Sequence, residues 1–456
     1  MHLGKYSDYM GDTQRIFRRK LYDKMLAWKQ QRCGKTALLI RGARRVGKST
    51  IAEYFAKSEY DSYIRIDFSN AGNELIGYFD DISDLNWLFL RLKRRYNTEL
   101  FDRRSCIIFD EVQLCPKARQ AIKHLVADGR YDYIETGSLL SIRKNVQGIV
   151  IPSEETRVDL LPMDYEEFRW ALGDTSTFPY LREMLERQAQ LGGDHRRLMR
   201  EFRLYMLVGG MPQAVNCYLD SNSLAEVDAV KREIINLYEE DFRKIDPKGN
   251  ASLMFSSIPA QLNSNANRFQ VGKLIPTSRN ERAQELIADM VDSMTVTKAH
   301  HANDPNVGMS MNKSINCFKL FAADTGLFVT LAFKDRDFTE SVIYDKLLSD
   351  KLSANLGYVY ENVVAQMLRA AGSELYYYSW RRQNSNTNYE VDFIIQRRDK
   401  ICPIEVKSSG YRTHSSLDEF TRKFSSRILH RYVITVKDLR REGDITFLPV
   451  YMAGLI

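Results

Sequence analysis

The sequence predicts an α/β protein that begins with a mostly parallel sheet covered by helices on both faces. Three observations carry that expectation. Short apolar runs alternate with amphipathic helical spacings through residues 36–172. An all-helical stretch follows, from about Tyr180 to Ile245, and the chain closes on a second segment that mixes helix and strand. The composition agrees, because 456 residues with 44% hydrophobic and 27% charged side chains suffice for several cores and exclude disorder over most of the chain.

In chain order, the expected strands of the first sheet are Thr36–Arg41, Ser62–Asp67, Ser105–Asp110 and Tyr131–Thr136. Between them Lys48–Lys57, Ile82–Tyr96 and Lys117–Ala127 have the spacing of amphipathic helices. Arg157–Leu161 reads as a last strand leading through Pro162 into a helix at Tyr165–Leu172. Around 250–333 helices give way to a strand pair, Met294–Lys298 and Cys317–Ala323, joined by the polar stretch His300–Lys313. Helices followed by a two-stranded wing predict a winged helix. From Gly357 on, the order is helix, three strands, helix, strand, strand. The expected divisions are 1–175, 176–249, 250–335 and 336–456.

Lys and Arg number 66 against 59 Asp and Glu, a net charge of +7. That excludes a polybasic tail protein and permits a local basic face for phosphate or nucleic acid. Phe318–Phe333, the most apolar segment, is broken by Lys319 and Asp324, so no membrane span is expected. The first residues lack the apolar middle of a signal peptide. Six scattered cysteines without a CxxC pair point to thiols in a reducing cytoplasm.

Gly42-Ala43-Arg44-Arg45-Val46-Gly47-Lys48-Ser49 fits G-x-x-x-x-G-K-[ST] without mismatch, and Thr50 follows. A strand enters it and a helix leaves it, as a phosphate-binding P-loop requires. The glycines let successive N–H groups face phosphate oxygens, and the helix N-terminus adds its positive end. Lys48 is expected to reach the β- and γ-phosphates of ATP, and Ser49 to ligate Mg²⁺. Cys106–Glu111, an apolar strand ending in two acids, begins the second element, with Asp110 62 residues after Lys48. Asp110 is expected in the Mg²⁺ shell and Glu111 as general base for the attacking water. Ser138, closing Thr136-Gly137-Ser138, either senses the γ-phosphate or caps the next helix.

These motifs resemble the Walker A, Walker B and sensor strand of AAA-type ATPases. Arg157-Val158, Leu161-Pro162, Glu167-Phe168 and Gly209-Gly210-Met211-Pro212 narrow the resemblance to a bacterial and archaeal family of AAA-like ATP-binding proteins. Its members carry a C-terminal nuclease-like domain of unknown role. The resemblance implies a P-loop AAA-like domain with parallel sheet, a helical lid, a winged helix, then an α/β restriction-nuclease-like domain. It also makes Arg157 and the Gly210–Pro212 turn candidates for the nucleotide's surroundings, although Thr156 stands where the family usually has glycine. The glycine pair equally suits the end of one helix before Pro212 starts another.

In the last hundred residues, Tyr389–Ile395 alternates as a strand and Ile401–Lys407 follows after a turn. Alternation puts Glu405 and Lys407 on one face, and Asp392, 13 residues before Glu405, is placed for a hairpin to bring the two acids together. Glu361 stands on a preceding helix whose other face is apolar. Glu361, Asp392, Glu405 and Lys407 resemble the PD-(D/E)xK nuclease core, which implies Asp392 and Glu405 as metal ligands and the set as a cleavage site. Members of this fold can also bind without cutting. Residues 341–456 hold 17 Lys and Arg against 13 Asp and Glu, and Arg381-Arg382 beside Trp380 suit a DNA or RNA backbone or an ordinary solvated edge. The expected function is ATP binding and hydrolysis controlling a nucleic-acid-binding or nuclease-like module, with a homo-oligomer possible. The alternative is a nucleotide-dependent protein-interaction switch with a catalytically inactive C-terminal domain.

Overall fold

Strands buried at every position must be covered on both faces, and the first sheet is built that way. The computed structural model describes residues 15–137, 152–264, 266–275, 280–334, 347–349, 356–383, 385, 387–409 and 413–456. Its strands are β1 (Ala37–Arg41), β2 (Ser62–Asp67), β3 (Ser105–Asp110), β4 (Asp132–Gly137) and β5 (Glu155–Asp159), in the order β2-β3-β4-β1-β5. β3 and β4 are buried along their whole lengths, as central parallel strands are. Pairing of β2 with β3 and of β3 with β4 is parallel, and the register sets Asp67 opposite Asp110. Rungs from Ala37 N to the Glu154 carbonyl and from Leu160 N to the Arg41 carbonyl run in the same sense. The crossovers include helices Lys48–Glu59, Leu85–Tyr96 and Pro116–Asp128. Pro116 opens its helix where no backbone donor is needed, and Gly129 ends it at φ +76°. Phe68, Phe79 and Phe109 meet edge to face in the core.

Contacts group the chain into two compact units. Among the described residues one unit holds 15–40, 47–137 and 152–158, and the other holds 41–46 and 159–456. The second unit opens with helices Tyr165–Ala171, Thr177–Glu186, Gly193–Val208, Pro212–Ser221, Leu224–Ile245 and Asn250–Asn263. The first of these carries a capping box in which Asp164 and Glu167 satisfy each other's backbone donors.

An eight-stranded sheet follows. Its strands are β6 (Val296–Ala302), β7 (Lys313–Ala322), β8 (Tyr376–Arg381), β9 (Asn388–Arg397), β10 (Lys400–Lys407), β11 (Arg431–Thr435), β12 (Arg440–Glu442) and β13 (Ile445–Pro449). Their order is β12-β13-β11-β10-β9-β8-β6-β7. The hairpin read as the wing of a winged helix is therefore one edge of the C-terminal sheet. β6 pairs parallel to β8 at His300–Tyr376 and His301–Tyr377, and both its strands run longer than the apolar pattern indicated. β12 is a strand the pattern did not announce, since its three residues are all charged. Helices Gly357–Ala370 and Ser415–Phe424 complete this part.

Two backbone segments cross almost in contact inside the second unit. A Cβ on Gly210 would lie 2.0 Å from the Met163 carbonyl oxygen, and one on Gly326 would lie 2.6 Å from Gly209 Cα. Gly209 takes φ +83°, a region open to glycine without strain. Met163 N donates to the Gly210 carbonyl at 2.7 Å, and Gly210 N donates to Asp324 Oδ2 at 2.6 Å. The glycines read as a possible nucleotide-side turn thus serve this crossing.

Candidate functional site

β1 ends at Arg41, and the chain turns at once into the helix beginning at Lys48. The turn needs left-handed backbone at Arg45 (φ +68°) and Gly47 (φ +95°). A Cβ on Gly42 would come within 2.4 Å of the Leu160 carbonyl oxygen, so a side chain there would force the strand exit apart. Lys48 is buried at the first helical position, and Ser49 and Thr50 follow in the first turn. Within the second unit, Tyr238 of helix Leu224–Ile245 donates to the Arg44 carbonyl at 3.0 Å. Arg44 Nη1 bonds both oxygens of Asp241 at 3.1 Å.

Parallel strands deliver their C-terminal ends to one edge, so β3 and β4 bring Asp110 and Thr136 together at the helix that starts with Lys48. Asp110 is 2% exposed. Its Oδ1 accepts from Ser49 Oγ at 2.7 Å and from Thr136 Oγ1. Its Oδ2 accepts from Arg65 Nη2 at 2.6 Å and Nε at 3.0 Å. Arg65, on β2, also donates to Glu53 at 2.9 Å. Glu111 leaves the strand at φ +54°. Its amide donates to Thr136 Oγ1 at 3.3 Å, and its carboxylate accepts from Gln113. Ser49 and Asp110 form an all-oxygen pair, the hard donor type that Mg²⁺ prefers. The residues present therefore fit that ion.

Ser138 lies outside the described residues. Arg157, on β5, is 49% exposed and stands 3.5 Å from Glu155, which Arg119 grips with two bonds of 3.0 Å. Glu135 on β4 is fully buried, and neither of its carboxylate oxygens has a hydrogen-bond partner. Burial first, then the charge of Glu155, pushes its pKa well above the usual carboxylate range. The described ion pair of Arg157 thus belongs to this acidic group and not to the P-loop.

The C-terminal residues meet through the β9–β10 hairpin, whose register runs Lys400–Arg397 to Ile404–Phe393. Val406 N donates to Asp392 Oδ2 at 2.7 Å, which holds Asp392 beside Glu405. Lys407 Nζ lies 2.7 Å from Glu405 Oε1. Glu361 arrives from helix Gly357–Ala370. Two further residues complete the group. Lys319 of β7 sends its ammonium to Glu361 at 2.8 Å and to Glu390 at 2.6 Å. Glu390 precedes Asp392 by two positions on one strand face, a signal present in the alternation. Lys319 read only as a charge interrupting the apolar segment Phe318–Phe333.

Burial opposes charge on the Lys319 ammonium, but Glu361, Glu390 and Asp392 outweigh it and hold its pKa well above the lysine range. Burial, followed by the charge of Glu361, raises Asp392 well above the carboxylate range. Among the described residues no group of three or more His, Cys, Asp or Glu is arranged to hold a metal ion. Lys319 and Lys407 stand among the acids that include Asp392 and Glu405, the pair the resemblance implies as metal ligands. On the other face of β9, Trp380 packs with Tyr378, Tyr389 and Phe420, and Arg382 lies 4.4 Å over the Tyr389 ring. No helix is long and apolar enough to cross a membrane among the described residues.

Residues 34–169 match the family model of an AAA domain, so this stretch is an AAA-type P-loop domain. Residues 199–337 and 356–452 match models of two domains of unknown function, the latter DUF4143. Comparison with curated proteins returned no match. Among solved structures, the Walker-type ATPase of Pyrococcus abyssi is 17% identical with a TM-score of 0.42, covering 71% of this chain and 99% of that one. A STAND protein with a tetratricopeptide repeat sensor from Pyrococcus horikoshii is 13% identical with a TM-score of 0.26, covering 75% and 47%. The RuvB Holliday junction branch migration motor of Thermotoga maritima is 11% identical with a TM-score of 0.27, covering 62% and 89%.

Proposed function

We propose that the chain binds ATP with Mg²⁺ at Gly42–Thr50 and hydrolyses it, and that its nucleotide state controls a C-terminal module that engages nucleic acid. The observation that carries the ATPase reading is the 2.7 Å bond from Ser49 to Asp110, which joins the last P-loop hydroxyl to the acid at the end of β3. Ser49 and Asp110 would hold the ion, which would supply positive charge against that of the phosphates. Loop amides and Lys48 orient the phosphates. Glu111 takes the proton of the attacking water, and its backbone is fixed by Thr136. Glu111→Gln removes the base while keeping shape, so ATP binding persists and turnover slows ~10²–10⁴-fold. Unchanged turnover in a steady-state phosphate-release assay would refute the assignment.

A second reading, a nucleotide-dependent protein-interaction switch with an inactive C-terminal domain, draws support from the position of Lys319 among the acids. Phosphate contacts release counterions, so binding of DNA or RNA that weakens steeply with salt favours the first reading. ATP turnover indifferent to nucleic acid favours the second.

A further inference from the structure

Four carboxyl groups and two ammonium groups, from β7, β9, β10 and helix Gly357–Ala370, form one cluster in the second unit. The acids are Glu361, Glu390, Asp392 and Glu405, and the cations are Lys319 and Lys407. Carboxylates gathered away from water repel one another unless a cation lies among them. Here β7 supplies it. Lys319 is 5% exposed, and its ammonium sits within hydrogen-bond distance of two of the acids from two different elements.

A divalent ion at such a cluster needs several oxygens converging on one point at about 2.0–2.2 Å. An ammonium bonded at 2.6 Å to Glu390 and 2.8 Å to Glu361 takes up oxygens that such an ion would need and repels a second cation. We propose that Lys319 is a tethered substitute for the metal ion, and that it keeps the C-terminal carboxylate cluster closed to divalent cations. The cluster retains the chemistry for one. Glu405 Oε2 and Glu390 Oε2 are buried without a hydrogen-bond partner, and Glu405 is only 4% exposed. Those lone pairs are what an incoming hard cation would use once the ammonium is gone. The proposal rests on the nuclease-like reading of these acids but not on ATP binding, so its test is made without nucleotide.

The experiment is Mn²⁺ titration of the nucleotide-free full-length chain, followed by loss of the free-ion electron paramagnetic resonance signal. Wild type should bind no Mn²⁺ that Asp392→Asn removes. Lys319→Met should gain about one Mn²⁺ per chain, and adding Asp392→Asn should abolish the gain. Lys319→Arg keeps the cation and should gain none. If Lys319→Met does not fold, Lys319→Gln removes the charge while keeping a polar side chain and should give the same gain. Wild-type Mn²⁺ binding that depends on Asp392 would overturn the proposal, as would a folded Lys319→Met protein that gains none. Loss of ATP binding elsewhere in the chain would leave these outcomes unchanged, which separates this idea from the nucleotide reading.

Discussion

Replacing Asp110 with Asn keeps the side-chain shape and removes one charge, so its effect follows from four bonds. Asp110 accepts from Ser49 and Thr136 on one oxygen and twice from Arg65 on the other. An amide can serve both sides only with its oxygen accepting from Arg65 and its NH₂ donating to the Ser49 and Thr136 hydroxyls, so what is lost is chiefly the charge facing Arg65. Charged hydrogen bonds contribute roughly 1.5–3 kcal/mol each, and breaking a buried pair costs about 3–5 kcal/mol. Arg65 keeps Glu53 and is one-third exposed, which lowers the cost. The expected loss is therefore about 2–3 kcal/mol, read as a lower urea midpoint for the nucleotide-free protein. A ligand at 100 times its Kd stabilises by about 2.7 kcal/mol. Mg²⁺·ATP should raise the wild-type midpoint accordingly and the variant's by much less. An unchanged midpoint in Asp110→Asn would refute the Arg65 pairing, and equal stabilisation of both proteins by Mg²⁺·ATP would refute the magnesium role.

Lys48→Ala should abolish most ATP affinity, and calorimetry giving the wild-type constant would overturn the P-loop assignment. Gly210→Ala drives a methyl group into the Met163 backbone, 2.0 Å from its oxygen. It should destabilise by ~1–3 kcal/mol or more in urea denaturation, and a wild-type midpoint would contradict the close crossing. Lys231 is fully buried, donates to the Leu207 carbonyl at 2.6 Å, and has its pKa lowered by burial from 10.5 to about 8. Between those values the unfolded chain holds the proton that the folded chain has released. Stability contributed by this group should thus rise from pH 8 towards pH 10 by up to about 3 kcal/mol, and Lys231→Met should flatten that slope.

What the sequence disclosed was local or periodic. The P-loop and the Asp110-Glu111 pair are contiguous, so their chemistry is legible wherever strand and helix flank them. Asp392 and Glu405 were legible because one turn fixes a hairpin register. Arg65 was not, since a polar position on an alternating strand reads as solvent-facing until β3 is set beside it. Lys319 was hidden for the same reason on a larger scale. Its neighbours Phe318 and Leu320 mark a strand, but only the non-local pairing of β6 with β8 turns that strand's polar face towards Glu361. For Arg157 a motif position suggested the nucleotide, while its neighbour Glu155 was legible only as the next residue but one on the same strand.

The glycine crossing has a mechanical consequence. Leu160 N holds the Arg41 carbonyl at the entrance to the P-loop, Met163 N holds Gly210, and Gly210 N holds Asp324, two residues beyond the end of β7. These are main-chain bonds, one to a side chain that is itself 1% exposed, at spacings where no Cβ fits. Flexible side chains can absorb a displacement of half an ångström; a stack of backbones cannot. The chain at Arg41 and the turn after the strand that carries Lys319 are consequently tied to the same backbone crossing, where adding a single methyl group would force the segments apart.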